Sequence, residues 1–563
     1  MLMLIWLGCE KDGGFPGDTQ GDAAWRPEVV VCPGDTGCET NAGSLSAGAS
    51  AVSITPTCFE SWTDLDGDAE RDDDEDFLDC GCDRLCEGDA GYPGADEGEN
   101  DGVFQAVWMA GFQNNRPAQG VHDELWARAV VLDQGDTRLA LVVLDVVGWF
   151  YDDVLLTRQA LPADLGVDHL LVVATHVHEG PDTMGLWGEK ETATGVDTDY
   201  NTWVRDQSVT AVSEAVADLR EVGSAVAGEV DASSYHERGI LNVLQDKRDP
   251  KIVDTTLSTL HLTDTAGDTI TTLVHFGNHP EAMADENGLL TSDYVHGLRE
   301  GVEQGVDYDG DGTLEREGVG GTCVFVTGTV GGMMTPLGLT VETPTGEIYD
   351  SYTFDFAMSI GRLKAEMALD ALAGGEALEP QLSFAASTLK LPVDNYGFQA
   401  MFLTDILSRS IIDYDPSEPI SDENTPWVET ELDHVRLGNL EWLTFPGEVL
   451  PELAIGGYDG SAVGTTEHEL VDAENPNPPD LSQAPEGPYL KDLMSADHRW
   501  IVGLANDELG YFVPEYNFVL DDTLPYFDEA EGDHYEETNS LGIRTAGLVD
   551  EGAQQLMSWV NAQ

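Results

Sequence analysis

The run Leu170–Ala174 is continuously apolar and passes straight into Thr175-His176-Val177-His178-Glu179-Gly180-Pro181. So short an apolar run, stopped by Gly-Pro, reads as a buried strand rather than a helix. A strand end is rigid. The period of two places side chains one residue apart on the same face, so His176 and His178 are expected to project together where the strand gives way to a loop. One imidazole can then ligate a metal while its neighbour serves chemistry beside it. The alternative is a pair of loop histidines hydrogen-bonded to backbone.

The same grammar recurs along the chain. Trp126–Leu132 and Leu139–Val146 flank Gly135-Asp136, Thr255–Leu262 precedes Thr269–Phe276, and Asp433–Arg436 and Leu440–Phe445 flank Gly438-Asn439. These are hairpin patterns. Thr322–Thr327 and Ile501–Ala505 read as further strands, and helices are expected over Tyr151–Leu161, Asn201–Arg220, Asp350–Ala373 and Val549–Val560. The fold class is therefore α/β (α+β): one large mixed-sheet domain with helices packed on it, spanning residues 103–563.

The region before it differs. Residues 10–102 are rich in Gly, Asp and Ser, and hold six of the eight cysteines, Cys32, Cys38, Cys58, Cys80, Cys82 and Cys86. An even number in an acidic, loop-like stretch reads as a disulfide-stapled module on a disordered tether. A zinc cluster at Cys80, Cys82 and Cys86 is the alternative. Asp64, Asp66, Asp68 and Glu75 occupy positions 1, 3, 5 and 12 of a calcium-type loop, but position 6, normally Gly, is Ala69. Asp307, Asp309 and Asp311 form a second such loop with Gly312 in place. Both sets suit Ca2+, and both also read as solvated acidic turns.

The net charge of −81, from 106 acidic against 25 basic residues, excludes nucleic acid as a partner and disfavours anionic membranes. The amino terminus, MLMLIWLGCE, carries a short apolar run ending at Cys9 and resembles a lipoprotein signal over residues 1–9. Cys9 would provide a lipid tether. With the cysteine framework this points to an extracytoplasmic protein, secreted or held as an outer-membrane or cell-surface lipoprotein of a bacterium.

Thr175–Pro181 resembles the His-containing motif of the neutral/alkaline non-lysosomal ceramidases, zinc amidases that hydrolyse the N-acyl bond of ceramide. Other segments resemble that family in its order: Gly120–Asp133, Glu237–Asn242, Asn278-His279-Pro280 with Leu290–Val295, Phe445–Glu448, Asn506–Tyr516 and Asp533–Glu536. The resemblance implies a zinc site made by His176, His279, Glu448 and Tyr511. It implies that His178 holds the attacking water and later protonates the leaving amine, that Arg238 meets the substrate carbonyl and that Tyr535 donates to the oxyanion. Read without it, Arg238 is a surface salt-bridge former, Asp293 a helix N-cap, and Glu448 an acid at a helix start.

Two departures stand out. Met333 replaces the family's Asp and Thr335 takes its Ser position, which argues against a nucleophilic hydroxyl there. The residues after Tyr535 leave room for a closing helix and no C-terminal immunoglobulin-like domain. The expected function is zinc-dependent cleavage of ceramide-like lipids to a fatty acid and a sphingoid base. The same centre acting on another amide or ester, and a catalytically degenerate calcium-binding surface protein, remain the alternatives.

Overall fold

A computed structural model describes residues 25–72, 74–421 and 423–563. The signal expected at residues 1–9, with Cys9, lies outside them. Among the described residues the main strands of the two large sheets are β1 (Val30–Cys32), β2 (Ser46–Ser53), β3 (Trp126–Gln134), β4 (Thr137–Leu144), β5 (His169–Ala174), β6 (Arg220–Asp231), β7 (Thr256–Asp264), β8 (Thr269–Phe276), β9 (Thr322–Thr327), β10 (Leu382–Pro392), β11 (Trp427–Leu437), β12 (Leu440–Thr444) and β13 (His498–Val502). The first sheet runs β9-β8-β7-β6-β2-β3-β4-β5, with Glu376–Ala377 added beside β6; the second runs β1-β10-β11-β12-β13. Pairing is antiparallel except for β4–β5, β8–β9 and β12–β13. The three expected hairpins form, and the mixed α/β class holds.

The sheets pack face to face. Leu141, Val143, Leu171 and Val173 of the first meet a core shared with Phe384, Val435, Trp442 and Val502 of the second. His275, Trp500 and Trp442 stack across this core, with ring centroids 5.1 and 5.3 Å apart. Truncating a buried ring such as Trp500 typically costs about 3–5 kcal/mol. Helices cover the outer faces: α1 (Tyr151–Ala160), α2 (Thr198–Ala217), α3 (Tyr294–Glu303) and α4 (Phe354–Gly374) belong to the first sheet's side, α5 (Tyr396–Leu403) and α6 (Thr545–Val560) to the second's. The result is four layers, helix–sheet–sheet–helix. Because both faces of β5 are covered, all six of its residues are buried, which is why its sequence is a solid apolar run and not an alternating one.

A polar seam also joins the sheets. His169 at the start of β5 lies 2.7 Å from Asp433 of β11, and Arg158 pairs with Glu431 at 2.6 Å. Asn506 donates to Asp433 Oδ2 at 2.7 Å and accepts from the Val172 N–H at 3.0 Å. Each buried charge therefore meets an opposite or hydrogen-bonding partner, as burial demands.

Two strands lie upstream of the expected start of the domain at residue 103. β1 edges the second sheet, and β2 sits between β3 and β6 in the first. The sequence of β2, SAGASAVS, is made of small residues that fit beneath α2, so it shows no apolar alternation. The cysteines pair as Cys32–Cys38, Cys58–Cys82 and Cys80–Cys86. This rules out the zinc alternative at Cys80, Cys82 and Cys86, because their sulfurs are consumed in bridges. Cys323 is buried on β9 as a free thiol. No helix among the described residues is long and apolar enough to cross a membrane.

Candidate metal centre

Three chain segments deliver the centre, each following a strand of one of the two sheets. The first leaves β5. His176 adopts φ 68°, a left-handed conformation costly for a residue with a Cβ. The expected side-by-side projection from an extended strand is thus not how the histidines meet. β5 stops at Ala174, and the twist at His176 turns the chain so that its ring and that of His178 stand edge to face with centroids 4.9 Å apart. Backbone bonds hold the turn: His176 N–H to Val146 O at 3.0 Å and His178 N–H to Pro280 O at 3.0 Å.

The second segment follows β8, where His279 N–H is held by Met334 O at 2.8 Å. The third is a two-residue strand, Glu448–Val449, which pairs in parallel with Tyr511–Phe512 so that Glu448 and Tyr511 are register partners. Glu448 precedes the short helix Pro451–Ile455 by three residues; its position comes from this strand pair and not from helix capping.

The ring nitrogens then sort themselves. His176 Nδ1 faces Val147 O at 2.6 Å and His279 Nδ1 faces Met334 O at 3.0 Å. Each Nδ1 therefore donates to a carbonyl, which turns both Nε2 atoms inward, the second-sphere arrangement of metal-ligating imidazoles. The inward atoms meet one carboxylate: His176 Nε2 is 3.5 Å from Glu448 Oε1, and His279 Nε2 is 3.1 Å from Glu448 Oε2. Ligand nitrogens of His176, His178 and His279 lie within 4.8 Å of one another. Both ring nitrogens of buried His178 lack hydrogen-bond partners. Three imidazoles with an orphaned nitrogen and an adjacent carboxylate suit a four-coordinate zinc-type ion. The residues fit the metal that the sequence resemblance implies, and His178 stands closer to the centre than that resemblance requires.

Electrostatics follow from the packing. Burial alone would raise the Glu448 carboxyl, but the imidazoles of His176 and His279 hold it down at about 2. Burial alone would lower His279, yet Glu448 and Glu281 raise it to about 9. His178 is driven well below its ordinary value by burial and by His176, His279 and Arg116, and so is neutral. The phenols of Tyr511 and Tyr535 are pushed up, chiefly by burial and then by Glu448, so both keep their protons.

His176, His178 and Glu448 line a cavity of about 60 Å³, whose walls include Phe150, Trp187, Phe402 and Leu541 together with Tyr511 and Tyr535. Tyr511 donates toward Met333 Sδ at 3.6 Å, and its ring lies 6.1 Å from that of Tyr535.

Arg238, expected to meet the substrate carbonyl, is not among the cavity's lining residues. Its guanidinium pairs with Glu467 at 3.3 Å and donates to Thr340 O at 2.8 Å, so its charge is committed away from the cavity. Asp293 stands before α3, but its side chain does not cap that helix; Oδ2 accepts from the Met283 N–H at 3.1 Å. Thr335 is buried and its hydroxyl accepts from the Leu337 N–H at 3.0 Å. In the first acidic loop, carboxylate oxygens of Asp64, Asp66 and Glu75 gather within 4.8 Å, as do those of Asp307, Asp309 and Asp311 in the second. Asp68 falls outside the first group and accepts from the Glu70 N–H. Ala69 takes φ 59°, the conformation for which a Gly was expected.

Several residues of the site gave no sequence signal of their own. Glu281 is buried two positions after His279, with Oε2 3.4 Å from His178 Nδ1. Buried Arg116, in what reads as an irregular loop, donates to the carbonyls of Ala110 and His178. Gly111 lies so close that a Cβ there would fall 2.4 Å from the His178 Cβ and Cγ. Glu508 lines the cavity beside Leu509. Only the two glutamates were findable in principle, as carboxylates inside the His279 and Tyr511 motifs.

Comparison with known proteins agrees with the motif reading. Residues 94–320 match the family model described as neutral/alkaline non-lysosomal ceramidase, N-terminal. No curated protein matches the chain. The fold is similar to that of the neutral ceramidase from Pseudomonas aeruginosa, with a TM-score of 0.57 at 14% identity over 92% of this chain and 75% of that one. A ceramidase complexed with C2 gives a TM-score of 0.56, also at 14% identity and the same coverage.

Proposed function

From the premise that residues 94–320 are of the neutral/alkaline ceramidase N-terminal type, we propose that this chain is a zinc amidohydrolase. Its reaction is hydrolysis of the N-acyl amide of ceramide-like lipids to a fatty acid and a sphingoid base. One observation carries the reading: imidazoles 176, 178 and 279 and carboxylate 448 converge, and His176, His178 and Glu448 open onto a cavity with largely apolar walls.

His176, His279 and Glu448 would hold the metal, with Tyr511 beside them. A zinc ion so held supplies Lewis acidity to the amide carbonyl and brings the pKa of its water to about 7. His178, neutral and without a hydrogen-bond partner, accepts a proton from the attacking water and returns it to the leaving nitrogen. The protonated Tyr535 phenol, at the cavity wall, donates to the carbonyl oxygen as negative charge develops on it. The apolar walls exclude bulk water and seat the hydrocarbon. Three disulfides support an oxidising, extracytoplasmic location, where Cys9 would serve as a lipid tether.

The test is metal analysis of the purified protein together with turnover of N-acyl sphingoid bases, N-acyl amino acids and simple esters. Zinc bound at one equivalent and preference for the N-acyl sphingoid bases are expected. A folded protein that turns over none of them, or one equally active after exhaustive chelation, overturns the proposal. Preference for esters or N-acyl amino acids would keep the centre and replace the substrate.

A further inference from the structure

Glu508 is held in place from both sides. Leu509 N–H donates to Pro446 O at 3.0 Å and Gly510 O accepts from the Glu448 N–H at 2.9 Å. The preceding Asp507 accepts from the Tyr151 N–H at 3.0 Å and pairs with Arg409 at 2.7 Å. The side chain is 4% exposed and packs where Gly148 has no side chain; a Cβ on Gly148 would come within 2.6 Å of Glu508 Cγ. One carboxyl oxygen, Oε1, accepts from the Gly510 N–H at 2.9 Å. The other, Oε2, is buried and has no hydrogen-bond partner.

Glu508 lines the same cavity as His176, His178 and Glu448, among walls that are otherwise largely apolar, such as Val147, Phe150 and Met184. A molecule filling this cavity keeps water away from Oε2. If it brings no polar group to that point, the carboxyl stays buried and unpaired, which is costly. A hydroxyl meets the need in either protonation state, since it both donates and accepts. That versatility matters here, because burial and then the Glu448 charge push the Glu508 carboxyl well above its ordinary value.

Resting on the amidase reading above, we infer that Glu508 is a specificity-determining residue that hydrogen-bonds, through Oε2, a hydroxyl carried by the amine portion of the substrate near the scissile bond. The site then selects acylated amino alcohols over acylated simple amines.

The test compares N-dodecanoyl-ethanolamine with N-dodecanoyl-ethylamine, which differ by the one hydroxyl. Two readouts run in parallel on the full chain: displacement of a dansyl fatty acid from the cavity, and kcat/KM. The wild type should favour the ethanolamide by roughly ten- to hundredfold in both. Glu508→Gln, which keeps a donor and an acceptor, should retain most of that preference. Glu508→Leu should bring the ratio close to one, with a melting temperature equal to or above that of wild type, since an unpaired buried carboxyl has gone. An unchanged ratio in Glu508→Leu, or a wild type that binds both amides alike, overturns the inference. Preferential binding of the ethanolamide without hydrolysis of either amide would sink the amidase reading and leave the Glu508 assignment standing.

Discussion

His279 Nε2 lies 3.1 Å from Glu448 Oε2, although 169 positions separate the two residues. With His176 Nε2 3.5 Å from the other oxygen, the carboxylate spans two imidazoles. Glu448→Gln should therefore reduce bound zinc to background and abolish turnover, while the protein still folds. Metal analysis beside a far-UV spectrum checks this; full zinc content in the folded variant would remove Glu448 from the ligand set.

Gly111 carries φ 101° and faces the His178 ring. Gly111→Ala adds a methyl group where the imidazole stands, and it strains the backbone as well. His178 must move, so kcat should fall by roughly a hundredfold, as expected for loss of a proton-transfer group, with zinc retained. Equal loss of metal and activity would show that His178 is itself a ligand.

Arg238 spends its guanidinium on Glu467 and Thr340 O. Arg238→Ala should leave kcat/KM within about threefold of wild type, because an exposed pair contributes little. A drop of two orders of magnitude would mean that the arginine swings into the cavity with substrate bound, and would restore the role first expected of it.

Tyr535 keeps its proton and lines the cavity next to Tyr511. Tyr535→Phe should lower kcat by about 10²–10³ with little change in KM, the pattern of a donor used only as charge develops. A rise in KM at constant kcat would instead make it a binding group.

The polar seam between the sheets predicts a pH effect. Burial and Arg158 would lower the His169 imidazole, but Asp433 and Glu431 prevail and hold it above 6.5. A group raised in the folded state stabilises fully below its unfolded pKa, about 6.5, and loses that contribution as pH climbs through the folded value. Asp433→Asn should lower the His169 pKa in an NMR titration. The stability gap between wild type and variant should narrow as pH rises past 6.5; a gap that widens would contradict the assignment.

Much of the frame was legible from local pattern. The runs at β5 and β8 and the hairpin β3–β4 declared themselves because apolar spacing and turn residues act over a few positions. So did His176, His279 and Glu448, each standing where a strand ends. β2 was hidden because its residues are small, and the pairing of Arg238 with Glu467 was hidden because its motif says nothing about which acid it would find.

By itself, then, the order of residues determined which segments become strands, where each ends in a metal-binding type of side chain, and that the six cysteines from Cys32 to Cys86 would cross-link. Tertiary structure alone decided that Cys58 pairs with Cys82, that His176 turns through a left-handed twist to meet His178, and that Glu508 lines the cavity with one carboxyl oxygen lacking a hydrogen-bond partner. The physical reason is range: backbone period and turn chemistry are local, whereas these contacts exist only once two sheets have closed on a common core and fixed distant loops at one end.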